Sequence, residues 1–149
     1  MNVSEVMSAE AFIASPEETV QGAAQLMADL RTGVLPVGEG DRLIGVITDR
    51  DITVRVVAAG LDVAVTRIRE VMSPEVYCCF EDEDVEEAAQ RMSDWQVRRL
   101  PVLNMRKQFV GIVSLGDLAR RTPSEISASA LQGVSDDDAD DLYAAASRA

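Results

Sequence analysis

The chain has 149 residues, 47% of them apolar and none of them histidine, and its formal net charge is −12. No apolar run approaches the roughly 18 residues of a membrane span, and the N-terminus lacks the basic start of a signal peptide, so we predict a cytoplasmic protein. The excess of carboxylates argues against nucleic acid and anionic membranes as partners, and the lack of histidine argues against an enzyme or a metal site.

The first half of the chain reads as strand, helix, strand, strand and helix. Residues 12–14 are a short strand candidate, and residues 15–18 form an acidic helix start, which suits the positive end of a helix dipole. Residues 34–37 and 43–48 are apolar strands, and a closing helix begins at Asp49 and runs toward Gly60, a plausible helix end. One helical face is predicted between the first two strands, from Val20, Ala23, Ala24, Met27 and Leu30.

The second half repeats this order. A strand at 76–79 precedes an acidic helix start at 81–84 and a helical stripe from Val85 to Trp95, which we interpret as core rather than as a base-stacking platform. Strands follow at 100–103 and 109–114, and a closing helix begins at Leu115. Between the halves, a linker at 61–70 contains Thr66 as the predicted cap of a short helix. Residues 122–149 are rich in Ser, Ala and Asp and are predicted to be a flexible acidic tail, at most a weak helix at 142–146.

The two halves share sequence as well as order. Val6-Met7-Ser8 returns as Val71-Met72-Ser73, and Leu35-Pro36-Val37 returns as Leu100-Pro101-Val102. The offset is 65 residues at the first landmark and 66 at the pair Asp51 and Asp117, so one residue is inserted between the last two strands of the second half. We predict an α/β (α+β) fold of two tandem repeats, 3–60 and 61–121, packed about a pseudo-twofold axis with ligand clefts where they meet.

Cys78 and Cys79 are adjacent in the sequence. Successive strand side chains point to opposite faces, so the two thiols cannot readily share a metal or form a mutual disulfide. We interpret them as ordinary thiols, while a redox-sensing role stays open for one that lines a cleft.

The ordered set of Val-Met-Ser openings, Leu-Pro-Val middles and Gly-x-x-Thr/Ser-x-x-Asp ends resembles the cystathionine β-synthase (CBS) domain pair, or Bateman module. The resemblance covers about residues 3–121, and within the family the chain is similar to small stand-alone stress-response members in bacteria. It implies a non-enzymatic sensor that requires no cofactor and binds AMP, ADP, ATP or a related adenosine ligand, S-adenosylmethionine and NAD included. It also implies a homodimer and an effector protein of unknown identity.

The chemistry of the motif can be read at Thr48 and Asp51 and at Ser114 and Asp117. A carboxylate accepts hydrogen bonds from two ribose hydroxyls, while the Thr or Ser hydroxyl and free amides at the helix start can meet sugar or phosphate. The same spacing also forms a helix capping box, and both roles can coexist.

The resemblance implies two sites, each drawing on both repeats. The first joins Thr48, Arg50 and Asp51 to Ser73, Cys78, Val97, Arg98, Arg99 and Pro101. The second joins Ser114 and Asp117 to Ser8, Ile13, Thr32 and Pro36. The arginines are expected to bind phosphate at the first site, with a strand edge or ion pairs as the alternative for Arg98 and Arg99.

The second predicted site lacks this charge, because Gly33, Val34 and Gly116 stand at the equivalent positions. We expect it to be empty, to hold a neutral nucleoside or to borrow an arginine from a partner subunit. The alternative function for the whole chain is a structural or protein-interaction module that binds no nucleotide.

Overall fold

A computed structural model describes residues 1–74 and 76–135, which form two compact units. The unit built on the first repeat contains Ala11–Val76 with Lys107–Phe109, and we call it the first-repeat unit. The second-repeat unit contains Met1–Glu10, Tyr77–Arg106 and residues 110–135. The opening segment of each predicted repeat, residues 3–8 in the first and 68–73 in the second, therefore lies in the unit built on the other repeat.

The first-repeat unit contains one antiparallel strand pair and its helices. Strands β1 (Val34–Glu39) and β2 (Arg42–Thr48) pair with Val34 opposite Thr48, and the register shifts between Val37 and Gly38. Helix α2 continues without a break into the π-helical segment Thr53–Val57. The elements are α1 at Val20–Leu30, β1 at Val34–Glu39, β2 at Arg42–Thr48, α2 at Asp49–Ile52 and α3 at Ile68–Val71.

The second-repeat unit contains a three-stranded sheet in which β4 (Arg99–Leu103) lies between β3 (Cys79–Phe80), which runs parallel to it, and β5 (Phe109–Ser114). A short 3₁₀ turn at Val3–Glu5 comes from the start of the chain. The elements are β3 at Cys79–Phe80, α4 at Val85–Trp95, β4 at Arg99–Leu103, β5 at Phe109–Ser114, α5 at Leu115–Arg121 and α6 at Ser124–Ser135. The mixed α/β fold class and the two predicted main helices, α1 and α4, are confirmed.

The opening strands are shorter than predicted, and Pro16 explains the difference between the two. Ala14 donates its amide to Pro36 (2.8 Å) and accepts from Gly38 (2.9 Å), so it pairs as a single parallel bridge. The next donor of a parallel ladder would be residue 16, but proline has no N–H. In the second repeat Glu81 stands at this position and donates to the Leu103 carbonyl (2.9 Å), beyond the two-residue strand β3.

Helix starts differ from the sequence expectation in two places. Helix α1 begins after Thr19, whose hydroxyl accepts from the Gly22 amide (3.1 Å), and not within the acidic segment 15–18. Thr66 does not cap α3, because its buried hydroxyl donates to the Asp62 carbonyl (2.7 Å) and Arg67 is the capping residue. Helix α4 does follow an acidic cap, since Asp84 accepts from the Glu86 amide (3.0 Å).

The predicted flexible tail is wrong for residues 124–135, which form helix α6. Ala130 and Val134 lie one helical turn apart and are buried, because α6 packs on α4 and α5. Small side chains are what allow this close packing, and their low hydrophobicity is why composition alone suggested a tail. The predicted weak helix at 142–146 and the aspartate run from 136 lie outside the described residues.

Each unit buries apolar side chains of the opening segment that belongs to the other repeat. Ile68 and Val71 are in the core of the first-repeat unit, and Val3 and Val6 are in the core of the second-repeat unit. Burying such side chains contributes about 1.5–3 kcal/mol each, so the exchange of opening segments is a substantial part of the stability of both units.

Within the ranges 1–74 and 76–135, no helix combines the length and apolar character that crossing a bilayer requires.

Candidate functional site

Each closing helix begins with a reciprocal pair of hydrogen bonds between a hydroxyl residue and the aspartate three positions later. In the first-repeat unit, the Asp51 amide donates to Thr48 Oγ1 (3.0 Å) and the Thr48 amide donates to Asp51 Oδ2 (2.9 Å). In the second-repeat unit, Ser114 and Asp117 form the same two bonds at 3.0 and 2.9 Å. The capping box, which the Thr/Ser-x-x-Asp spacing allowed as an alternative to ligand binding, is therefore present in both repeats.

The capping leaves one carboxylate oxygen, Oδ1, of each aspartate for another partner. The Asp51 side chain is 15% exposed and the Asp117 side chain is 10% exposed, so neither points into open solvent. A carboxylate with one oxygen fixed and the other at the rim of a unit has a defined orientation and keeps acceptor capacity.

The expectation of free amides at the start of α2 is wrong. The Asp49 amide donates to the Gly33 carbonyl (2.9 Å), the Arg50 amide donates to Asp49 Oδ1 (2.9 Å), and the Asp51 amide is taken by Thr48. Any phosphate bound beside α2 must therefore be held by side chains, of which arginine is the best suited.

The predicted site residues Ser73 and Ser8 lie close to these junctions. Each pairs with a strand residue that stands two positions before the junction hydroxyl, Thr48 or Ser114. Ser73 exchanges backbone hydrogen bonds with Val46 (2.8 and 3.0 Å) in the first-repeat unit. Ser8 exchanges the equivalent bonds with Ile112 (2.8 and 3.0 Å) in the second-repeat unit. The predicted association of one repeat's junction with the other repeat's Val-Met-Ser segment is thus present inside each unit.

The remaining predicted residues are divided between the units, so that each predicted site draws on both. Ile13 and Thr32 are half-buried in the first-repeat unit, where Pro36 is buried. Cys78 and Val97 are half-buried in the second-repeat unit, where Pro101 is buried. The combination of these two groups into the two predicted sites stays a prediction.

Three arginines expected to bind phosphate have exposed side chains: Arg50 on α2, and Arg98 and Arg99 before and at the start of β4. The Arg98 carbonyl accepts from the Leu115 amide (2.9 Å), which places its backbone beside the start of α5. This corresponds to the Gly33–Asp49 bond of the first-repeat unit. Arg98 thus adjoins the Ser114–Asp117 junction of its own repeat.

Sequence reasoning missed three arginines on the closing helices. Arg55 donates through Nη1 to the Val71 carbonyl (3.1 Å), and its counterpart Arg121 donates to the Val6 carbonyl (3.2 Å). Each ties a closing helix to the opening segment of the other repeat. Arg120 instead donates through Nη2 to Asp117 Oδ1 (2.7 Å), so the expectation that the second junction lacks a cation is wrong. The i, i+3 spacing of Asp117 and Arg120 is the signal that could have found this pair.

Trp95 is not the core residue that the helical stripe suggested. It is 38% exposed, its ring centroid lies 4.9 Å from that of Tyr77, and the Arg91 guanidinium carbon lies 5.9 Å from it. Arg91 also forms an ion pair with Glu83 (2.8 Å). Because Trp95 ends α4 at the rim of the unit, its large ring packs on neighbouring side chains without being enclosed.

The two cysteines differ in burial. Cys79 is buried in the core of the second-repeat unit, and desolvation raises the pKa of its thiol to about 12, with Glu83 adding to the effect. Cys78 is half-buried, and desolvation also raises the pKa of its thiol, although Arg91 opposes the shift. Both side chains are therefore thiols at neutral pH, which disfavours the redox-sensing alternative.

We expect iodoacetamide at pH 7.5 to modify Cys78 slowly in the folded protein and Cys79 only after unfolding, because the thiolate is the reactive species. Intact mass spectrometry over time, with and without guanidinium, measures this. Cys78→Ser is the matched control and should leave no site reactive in the folded protein. Rapid modification of both cysteines without denaturant would contradict the burial described here.

No group of three or more His, Cys, Asp or Glu side chains that could hold a metal ion occurs among residues 1–74 and 76–135.

Comparison with known proteins identifies the repeats. The sequence model of the CBS domain family matches residues 3–58 and again residues 68–123. The chain belongs to the CBS domain family. The two matched segments coincide with the two halves that share the Val-Met-Ser and Leu-Pro-Val motifs.

Two of the relatives are CBS proteins of similar length. The CBS domain-containing protein YhcV of Bacillus subtilis is 40% identical over 135 residues, which cover 90% of this chain and 95% of YhcV. Hypoxic response protein 1 of Mycobacterium tuberculosis is 37% identical over 120 residues, covering 80% of this chain and 83% of that protein. A crystal structure of Hypoxic Response Protein I with two coordinated zinc ions has a TM-score of 0.75 and 35% identity, covering 83% of this chain and all of that one.

A second solved structure contains an adenosine ligand. The CBS domain pair of protein MJ0100, in complex with 5′-methylthioadenosine and S-adenosyl-L-methionine, has a TM-score of 0.69 and 27% identity, covering 80% of this chain and 94% of that one. The family match and these relatives support a regulatory module and show no catalytic family.

Proposed function

We propose that this CBS pair is a non-enzymatic cytoplasmic sensor of an adenosine-containing ligand, acting in a stress response. The observation that carries the proposal is the duplicated aspartate at the start of each closing helix, fixed by its cap and mostly buried. The bound adenosine ligands of the MJ0100 pair support the choice of ligand class.

In the first-repeat unit, Asp51 has a carboxylate oxygen that a ribose could reach. Asp51 Oδ2 is held by the Thr48 amide, while Arg55 Nε lies 3.9 Å from Oδ1, beyond hydrogen-bond distance. Arg55 is itself held by the Val71 carbonyl. Asp51 Oδ1 is therefore available to accept from the vicinal hydroxyls of a ribose, and bonds to a charged acceptor are about twice as strong as neutral ones.

The phosphate contact is proposed for the exposed arginines. Arg50 follows the α2 start, whose amides are all occupied, and Arg98 and Arg99 precede the Leu-Pro-Val segment of the second repeat. Guanidinium groups bind phosphate oxygens in a bidentate manner and stay charged at every cellular pH. We therefore favour AMP, ADP or ATP over an uncharged nucleoside as the ligand of the first predicted site.

The proposal is tested with Asp51→Ala and AMP in isothermal titration calorimetry. We expect AMP binding at the first predicted site to weaken about tenfold or more, because one charge-assisted hydrogen bond contributes that much. Asp51→Asn keeps an acceptor for the Thr48 amide and separates loss of charge from loss of the cap. Asp29→Ala removes the same charge from the exposed end of α1 and is the matched control.

Two results would contradict the proposal. Unchanged AMP affinity in both Asp51 variants would remove the ribose contact. Absence of heat and of thermal stabilisation with AMP, ATP, adenosine and S-adenosylmethionine in the unaltered protein would remove the adenosine ligand class, because a ligand of the folded state must stabilise it.

One observation favours the second candidate, a protein-interaction module without nucleotide. Both aspartates already complete the capping box of their helix, and Asp117 is also paired with Arg120, so each has a structural role that needs no ligand. Under this candidate, Asp51→Asn would keep its stability and its partner binding, and no adenosine compound would raise the unfolding temperature.

We also propose a homodimer formed through helical surfaces. Val54 and Val57 on the π-helical continuation of α2 are exposed, as are Leu61 and Val65 after it. Apolar side chains grouped on one helical region are typical of a contact surface. Native mass spectrometry of the full chain should show twice the monomer mass, and Val57→Glu should convert it to the monomer mass. A monomer at micromolar concentration before substitution would contradict the proposal.

A further inference from the structure

We infer that Arg120 sets the ligand preference of the second repeat by competing with ribose hydroxyls for the Asp117 carboxylate. The inference rests on the proposed function, because it concerns the same kind of aspartate in the other repeat. Its starting observation is that both oxygens of Asp117 are engaged in the second-repeat unit. Oδ2 accepts from the Ser114 amide (2.9 Å), and Oδ1 accepts from Arg120 Nη2 (2.7 Å).

The closing helices of the two repeats share one arginine but differ at the residue before it. Arg55 and Arg121 are counterparts at an offset of 66, and both donate to the carbonyl of an opening segment. Arg120 has no counterpart of this kind, because the equivalent residue of the first repeat is Val54, which is exposed. Arg120 is therefore an addition to the second repeat and not part of the shared framework.

Gly116 provides the space that Arg120 occupies. A Cβ placed on Gly116 would lie 3.2 Å from Arg120 Nη1, so the guanidinium lies directly over this glycine. The first repeat has the reverse arrangement, with Arg50 at the glycine position and Val54 one turn later. The second repeat thus has its cation at Arg120, which is bonded to Asp117, whereas the first repeat has its cation at Arg50, one position before Asp51.

The consequence for binding follows from charge and exposure. Asp117 is 10% exposed, so a ribose diol can reach Oδ1 only after the guanidinium has moved. Arg120 is 67% exposed and can move at the cost of one ion pair in contact with solvent. Such a pair is modest in strength and is weakened by salt. A neutral nucleoside must displace it without compensation, so the second repeat disfavours uncharged ligands relative to the first.

The test uses the full chain in an Asp51→Ala background, so that adenosine binding reports on the second repeat. Adding Arg120→Met should tighten adenosine binding about fivefold, the factor that an exposed ion pair of this kind represents. Raising the salt concentration should tighten adenosine binding when Arg120 is present and should have no effect after Arg120→Met. Arg106→Met removes the same charge from an exposed position in the same unit and should change neither quantity.

Arg120→Gln serves as a second variant in case methionine disturbs α5, and circular dichroism verifies the fold of each protein. Equal adenosine affinity with and without Arg120 would overturn this inference. It would leave the proposed function intact if Asp51→Ala by itself weakens adenosine binding. Absence of binding by the unaltered protein and by every variant would overturn the proposed function and this inference together. Tighter binding in both Arg120 variants, with loss of the salt effect, would support it.

Discussion

Gly45→Ala is expected to lower the midpoint of thermal unfolding by about 6–12 °C. A Cβ at Gly45 would lie 2.5 Å from the Ser73 carbonyl oxygen, far closer than van der Waals contact allows. Ser73 is held there by its backbone exchange with Val46, so the added methyl group must separate β2 from the opening segment of the second repeat. Overpacking of this kind costs up to about 3 kcal/mol, which corresponds to that shift for a chain of this size.

Gly111→Ala should have a similar effect in the second-repeat unit, where the Cβ would lie 2.6 Å from the Ser8 carbonyl oxygen. Gly22→Ala is the control: its Cβ would lie 3.4 Å from Thr19 Oγ1, and alanine favours the helix by about 0.5–1 kcal/mol. Differential scanning calorimetry of the three variants decides the matter. If Gly45→Ala and Gly111→Ala unfolded at the same temperature as Gly22→Ala, the close approach of the opening segments would be wrong.

Gly133→Ala is expected to release helix α6 from the second-repeat unit. A Cβ at Gly133 would overlap Ser93 Oγ and would lie 2.6 Å from Ser93 Cβ on α4. Turning the hydroxyl away does not remove the second clash, so α6 must shift outward and expose Ala130 and Val134. Burial of the Val134 side chain contributes about 1.5–3 kcal/mol, so its loss is enough to free α6 locally while the rest of the unit stays folded.

Hydrogen exchange followed by mass spectrometry measures this effect directly, as faster exchange of the amides in 124–135 with little change in β4. Combining Gly133→Ala with Ser93→Gly should restore much of the protection, since the second substitution removes both atoms that clash. Gln132→Ala, on the exposed side of α6, is the matched control and should leave protection unchanged. Equal exchange in Gly133→Ala and the unaltered protein would show that α6 does not pack on α4 through this glycine.

The elements predicted correctly are those that form through interactions between residues close together in the sequence. Helices α1 and α4 follow from apolar spacing, and the two closing helices follow from their caps. The opening strands fail this test because a strand exists only through its partner. Ala14 and Cys79 begin equivalent pairings, but Pro16 cannot donate the hydrogen bond that Glu81 donates to Leu103.

The candidate site shows the same division between local and distant information. The Thr48–Asp51 and Ser114–Asp117 pairs are legible in the sequence because three residues separate each pair. Comparing the repeats position by position then placed Gly116 opposite Arg50 and predicted a second junction without a cation. The structure corrects this, because a side chain one turn along the helix reaches the position that the glycine leaves open.

The sequence by itself determined the duplication, the main helices and antiparallel strands of each repeat and the hydroxyl–aspartate pair that caps each closing helix, since all of these depend on neighbouring residues or on repeated motifs. Only the tertiary structure decided that each opening segment packs in the unit of the other repeat, that α6 is a docked helix and that Arg120 binds Asp117. The physical reason is that these contacts depend on the path of the chain between distant residues. Apolar periodicity identifies which face of an element will be buried, but it does not identify what will cover that face.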